Sequence, residues 1–65
     1  MTAVERRRLD ELAGLLGLRI EKYYCAGRWY YEASDAGLGP VTIGTGPAVL
    51  ASLERHAQAR EVVTR

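Results

Sequence analysis

Few side chains in this sequence can do acid–base or nucleophilic work. His56 is the only histidine and Cys25 the only cysteine. His56 falls on a helical segment beside its apolar stripe, where a boundary histidine is commoner than a general base. Cys25 has Arg28 close by, and a nearby arginine can lower a thiol pKa. A catalytic thiolate also needs a base and an oxyanion site, and no motif supplies them. The carboxylates Glu21, Glu32 and Asp35 are scattered. Glu21 and Glu32 can form a pair across two strands, but solvated strand charges are the ordinary case. One Cys and one His cannot fill a four-ligand zinc site. No catalytic residue, no metal ligand set and no cofactor is therefore assigned, and the expectation is a non-enzyme.

Gly44-Thr45-Gly46 lies between a strand and a helix start, where backbone N–H groups can meet an anion. The P-loop signature and GxGxxG are both missing. The stretch reads first as an ordinary strand-to-helix turn, with an anion contact at Gly44, Thr45 and Gly46 as its functional alternative.

These residues need elements to place them. Thr2 and Glu5 have capping-box spacing. Leu9, Leu12, Ala13 and Leu16 then share one helical face. Gly17 fits a left-handed cap, followed by apolar Leu18. Gly14 inside this helix either admits a neighbouring backbone or is merely tolerated. Leu18 to Cys25 and Arg28 to Ser34 are rich in branched and aromatic residues, and Ala26-Gly27 between them reads as a hairpin turn. A two-residue loop pairs Cys25 with Arg28, Tyr24 with Trp29, Tyr23 with Tyr30, Lys22 with Tyr31, Glu21 with Glu32, Ile20 with Ala33 and Arg19 with Ser34. Asp35 to Pro40 is a turn, and Val41-Thr42-Ile43 a short strand. Pro47 sits in the first turn of a second helix capped by Thr45 or Gly46. Val49, Leu50, Leu53 and Ala57 form its buried face, while Ser52, Arg55, Gln58 and Ala59 face outward. This helix is expected to end near Val62, with the last residues fraying.

The expected fold is α+β: one small α-β-β-(β)-α domain over residues 1–65, with an antiparallel sheet of two to three strands. Both helices pack on one face of the sheet and leave the other open. So short a chain builds a marginal core, and a lone cysteine allows no internal disulfide. Homodimerisation or assembly into something larger would supply the missing burial.

The aromatic residues carry the strongest functional signal. Tyr23, Tyr24, Trp29, Tyr30 and Tyr31 all fall in the hairpin. Alternation sends Tyr24, Trp29 and Tyr31 toward the helices. It leaves Tyr23 and Tyr30 side by side on the open face, flanked by Arg19 and Arg28. Tyrosine and arginine are favoured at protein–protein hot spots. Aromatic platforms with cationic rims also stack single-stranded bases, and a cross-strand tyrosine pair can simply stabilise a sheet. The partner-binding set is Arg19, Tyr23, Arg28 and Tyr30, and the partner expected is a protein, either another chain or a second copy.

A nucleic-acid module using this face or the Arg6–Arg8 run is the alternative function. Nine basic against eight acidic residues, a net charge of +1, do not favour it. Arg6-Arg7-Arg8 opposes the dipole at the start of its helix. The pairs Arg6–Asp10 and Arg7–Glu11 would offset that. The charged start lacks the apolar core of a signal peptide, and no apolar run approaches the roughly 20 residues needed to cross a bilayer. With one free thiol, these features suggest a cytoplasmic protein that binds no membrane.

The element order α-β-β-β-α is similar to that of the double-stranded-RNA-binding domain. That family carries a lysine-rich motif at the start of its second helix. Here the stretch is Gly46-Pro47-Ala48-Val49-Leu50-Ala51, without lysine or arginine, so the resemblance implies the fold and not the RNA contact. Tyr30 to Leu53 also resembles the sheet-plus-helix part of HicB-type antitoxins: strand, glycine-containing turn, short strand, glycine, Ala/Leu-rich helix. That likeness covers about a third of the chain and implies fold rather than function.

Overall fold

The computed structural model describes the backbone of residues 1–64 and the side chains of residues 1–60. The element order is α1 (Ala3–Leu16), β1 (Arg19–Cys25), β2 (Arg28–Asp35), β3 (Gly39–Gly44) and α2 (Gly46–Thr64). The strands form a three-stranded antiparallel sheet in the order β1-β2-β3. The result is a small α+β fold whose helices cover one face of the sheet.

Local chemistry sets the helix ends. The Glu5 N–H donates to Thr2 Oγ1 at 3.1 Å, and the Thr2 N–H donates to Glu5 Oε1 at 3.0 Å. This reciprocal pair satisfies two donors that the helix start would leave orphaned. Gly17 closes α1 at φ 70°. The Leu18 N–H reaches the Ala13 carbonyl at 2.8 Å, and the Gly17 N–H reaches Gly14 at 3.3 Å, the two bonds of a Schellman motif. At the other end of the chain, the Val49 N–H donates to the Thr45 carbonyl at 2.9 Å, which makes Thr45 the N-cap of α2. The α2 helix runs two residues beyond the expected Val62. The expected fraying concerns side chains, and Arg65, that lie outside the described residues.

The hairpin register is the one expected, from Arg19 opposite Ser34 to Cys25 opposite Arg28. The turn is tight because Ala26 (φ 52°) and Gly27 (φ 79°) both adopt left-handed backbone, as a type I′ turn requires. Beyond β2, Asp35 Oδ1 accepts the N–H of Gly37 at 2.8 Å and of Leu38 at 3.1 Å, and so organises the next turn. The third strand is longer than Val41–Ile43. It includes Pro40 because β3 is an edge strand, with an irregularity opposite Ala33 and Ser34 that leaves Val41 without a direct partner.

The buried core is Leu9, Leu12 and Ala13 of α1, Tyr31 and Ala33 of β2, and Val49 and Leu53 of α2. Tyr31 and Ala33 share a sheet face with Ile20, which packs against the core from the side. Ser52 departs from expectation. It is only 8% exposed, because it lies three residues after Val49 and beside Leu53 on the same helical stripe. The two helices run side by side in the same direction. Met1 lies against Gly46, Arg8 Nε donates to Glu54 Oε1 at 2.9 Å, and Arg60 Nη1 donates to the Leu15 carbonyl at 3.2 Å. The last bond satisfies one of the orphan carbonyls at the end of α1.

Candidate functional site at the aromatic end of the hairpin

The site follows from where β3 stops. Its last paired residue, Gly44, lies opposite Tyr31. Residues 28–30 of β2 and 23–25 of β1 therefore pair only with each other. The helices begin at the same level. Gly46, the first residue of α2, is buried against Tyr31 and Met1, and the Arg6 guanidinium of α1 lies 5.5 Å from the Tyr31 ring centre. Beyond Tyr31 the hairpin projects past the third strand and past both helix starts.

This corrects one expectation. Tyr24 and Trp29 do share the helix-side face with Tyr31, as alternation requires, but no helix covers them: they are 64% and 51% exposed. They pack on each other with ring centroids 5.0 Å apart and planes tilted by 56°. Lys22 Nζ sits 4.7 Å from the Trp29 ring centre, within cation–π range.

On the open face, Tyr23 is 40% exposed and Tyr30 half-buried. The register sets this face in rows. Arg19 and Ser34 lie at one end, then Glu21, Glu32 and Ile43, then Tyr23 and Tyr30, then Cys25 and Arg28. The four binding residues named from sequence, Arg19, Tyr23, Arg28 and Tyr30, thus do share a face, with both arginines exposed. Sequence reading omitted Ile43, 63% exposed beside Glu32. It also gave no role to the two glutamates that separate Arg19 from the tyrosines. The Tyr23 hydroxyl donates to Glu21 Oε2 at 2.8 Å. That bond, with some desolvation and the charges of Glu21 and Glu32, raises the Tyr23 pKa above its ordinary value. Both carboxylates are therefore felt at one phenol. Among the described residues neither joins an ion pair.

The other candidates are placed elsewhere. His56 is exposed on α2, and its Nδ1 lies 2.8 Å from the Ser52 carbonyl oxygen one turn earlier. Cys25 is a free, exposed thiol at the hairpin turn. At Gly44-Thr45-Gly46, Met1 and Tyr31 close over Gly46, and Pro47 offers no N–H to the helix start. In the arginine run, Arg6 pairs with Asp10 at 3.2 Å, while Arg8, rather than Arg7, meets Glu11 at 3.6 Å. A half-open groove of about 490 Å³ runs between α1 and α2, lined by Leu12, Leu15, Leu16 and Ala57, with the Arg8–Glu54 ion pair on its wall. Among the described residues no three His, Cys, Asp or Glu side chains gather. Among the described residues no helix is long and apolar enough to cross a membrane.

Comparison with known proteins returns no matching family model, no matching curated sequence and no matching solved structure.

Proposed function

We propose that the chain is a small non-catalytic interaction domain that binds a partner protein through the aromatic end of its hairpin. Tyr23 and Tyr30 supply the centre of the contact on the open face, and Arg19 and Arg28 its rim. One observation carries the reading: the hairpin holds four aromatic rings beyond the reach of the third strand and both helices. A chain of 65 residues has little apolar surface to spare for its own core. Tyr24 and Trp29 are exposed on the opposite face of the same two-stranded ribbon, so a partner centred on Tyr23 and Tyr30 covers them by wrapping around the hairpin end. Tyrosine, tryptophan and arginine are also the side chains that dominate binding energy at protein interfaces. A regulator or inhibitor of a larger assembly fits this class, and the free Cys25 thiol suits a reducing compartment such as the cytoplasm.

The nucleic-acid alternative has less support. Two carboxylates at the middle of the open face repel phosphate, and Arg6 and Arg8 are engaged with acidic neighbours.

The test is affinity capture of the tagged protein from lysate of its own source, with the eluate read by mass spectrometry. One partner in stoichiometric amount, resistant to nuclease and lost on combined Tyr23→Ala and Tyr30→Ala substitution in a folded variant, supports the reading. Recovery only of nuclease-sensitive material, or a complex indifferent to both tyrosines, overturns it.

A further inference from the structure

We propose that a second copy of this chain docks on the outer face of α1, in an antiparallel pair of α1 helices built from Val4, Arg8, Glu11 and Leu15. This surface belongs to the helix layer and uses no residue of the hairpin, so it is independent of the reading above.

The order of residues along the helix is the starting point. Val4, Arg8, Glu11 and Leu15 follow one another at steps of four, three and four residues. At 3.6 residues per turn they form one stripe, on the side of α1 turned away from the buried Leu9 and Ala13. Its ends are apolar and open: Val4 is 78% and Leu15 68% exposed. Single exposed apolar residues are common, but this stripe reads apolar, basic, acidic, apolar, and its reverse complements it. A two-fold axis between Arg8 and Glu11 sets Val4 on the partner copy's Leu15 and Arg8 on the partner copy's Glu11, and each contact occurs twice. Alternating steps of three and four are also the spacing of a two-helix seam.

Charge selects this arrangement over its competitors. Parallel pairing of the same stripe sets Arg8 on Arg8 and Glu11 on Glu11. Within one chain Glu11 is loosely held: Arg8 Nη1 lies 3.6 Å from it, while Arg8 Nε is committed to Glu54 at 2.9 Å. Arg7 is exposed beside the stripe and joins no ion pair among the described residues. The antiparallel pair brings Arg7 and Arg8 of each copy beside the partner copy's Glu11. Arg7, Arg8, Glu11 and Glu54 sum to zero charge, so closing the pair gathers no net charge. Exposed ion pairs contribute little energy. The apolar ends therefore supply the attraction, and the charges fix its direction. Leu15 and Arg8 also line the groove between α1 and α2, with Leu12, Leu16 and Ala57, so the partner copy's Val4 arrives at the rim of an apolar groove. The sheet edges offer a second copy less. The β3 edge carries Pro40 and an irregular register, and the β1 edge has Lys22 at its centre; each of these opposes strand addition.

Sedimentation velocity of the full-length chain over a concentration series is the test. The expected result is a reversible monomer–dimer equilibrium. Glu11→Arg sets arginine against arginine twice and should weaken it by about ten-fold or more. Leu15→Ser should also weaken it, and Ile43→Ser, on the open face of the sheet, should leave it unchanged. Val4, Glu11 and Leu15 are exposed, so these variants should keep the melting temperature of the monomer. Register is read by disulfide trapping in a Cys25→Ser background. Mild oxidation of a mixture of the Val4→Cys and Leu15→Cys proteins should link the two variants to each other in excess over either linked to itself. A chain that stays monomeric up to about 1 mM, association lost with Ile43→Ser but kept with Glu11→Arg, or Val4→Cys linked mainly to itself would each overturn the proposal.

Discussion

The Tyr23 hydroxyl donates its hydrogen bond to the Glu21 carboxylate at 2.8 Å, two residues away on the same face of β1. The bond exists only while the phenol holds its proton, so the folded protein resists ionising it and the Tyr23 pKa lies above its ordinary value. A group whose pKa is raised on folding contributes stability that is complete below its unfolded value, near 10. That contribution is lost as pH rises through the folded value. Site-resolved NMR of the tyrosine rings should show Tyr23 ionising above the unfolded value. Glu21→Gln, which removes the charge, should bring it back down. If Glu21→Gln leaves the Tyr23 titration in place, the bond is not its main cause.

The capping box gives the opposite sign at acid pH. Glu5 accepts the Thr2 N–H, and this bond lowers its pKa below the ordinary 4.5. The contribution is present above that ordinary value and lost as pH falls through the lowered one. Thr2→Ala should cost about 1 kcal/mol at neutral pH. Glu5→Gln keeps an acceptor at the same place, so it should retain most of the stability and flatten the acid limb. Thermal melts between pH 2 and 6 compare the three proteins. An acid limb unchanged in Glu5→Gln would assign the acid loss to other carboxylates.

Two backbone positions invite stabilisation. A Cβ added at Gly14 meets nothing within 4 Å, so the glycine is tolerated there rather than required for close approach. Gly14→Ala should add about 1 kcal/mol. Ala26 holds φ 52° at the hairpin turn, a conformation unfavourable for alanine and natural for asparagine. Ala26→Asn should also add about 1 kcal/mol. Each change should raise the melting temperature by about 4–8 °C. Gly46→Ala offers no such free gain, because its Cβ would press on Met1 and on the Tyr31 ring.

The register was legible because a two-residue turn leaves one way to align the strands, and that alignment survives the opposed glutamates. The first helix was legible because caps and periodicity agree at both ends. The coverage of Tyr24 and Trp29 was not legible. Alternation fixes which face a side chain takes, but not whether another element reaches that far along it. That depends on β3 ending opposite Tyr31 and on both helices starting at the same level, which are tertiary facts. Ser52 is polar, but its i+3 spacing from Val49 puts it on the buried stripe, and spacing rather than polarity decides its face. The exposure of Ile43 depends on its pairing with Glu32, which the short strand Val41–Ile43 does not by itself specify.

The projecting hairpin predicts a sharp contrast between two aromatic residues of one strand. Trp29 and Tyr31 are two residues apart and share a face, yet Tyr31 is buried and Trp29 is not. Tyr31→Ala removes a ring enclosed by the core and should cost about 3–5 kcal/mol, as much as a domain of this size can lose and stay folded. Trp29→Ala removes one cross-strand aromatic contact and one cation–π contact at the tip. It should cost about 1–2 kcal/mol and leave a cooperative unfolding transition. Trp29 is also the only tryptophan, so fluorescence excited selectively at tryptophan reports the tip alone. Its emission should be red-shifted and readily quenched by iodide in the free protein. Addition of the partner that captures the chain should shift it to the blue and shield it. A blue, unquenched Trp29 in the free chain, or a Trp29→Ala variant as unstable as Tyr31→Ala, would mean that the hairpin end is already covered.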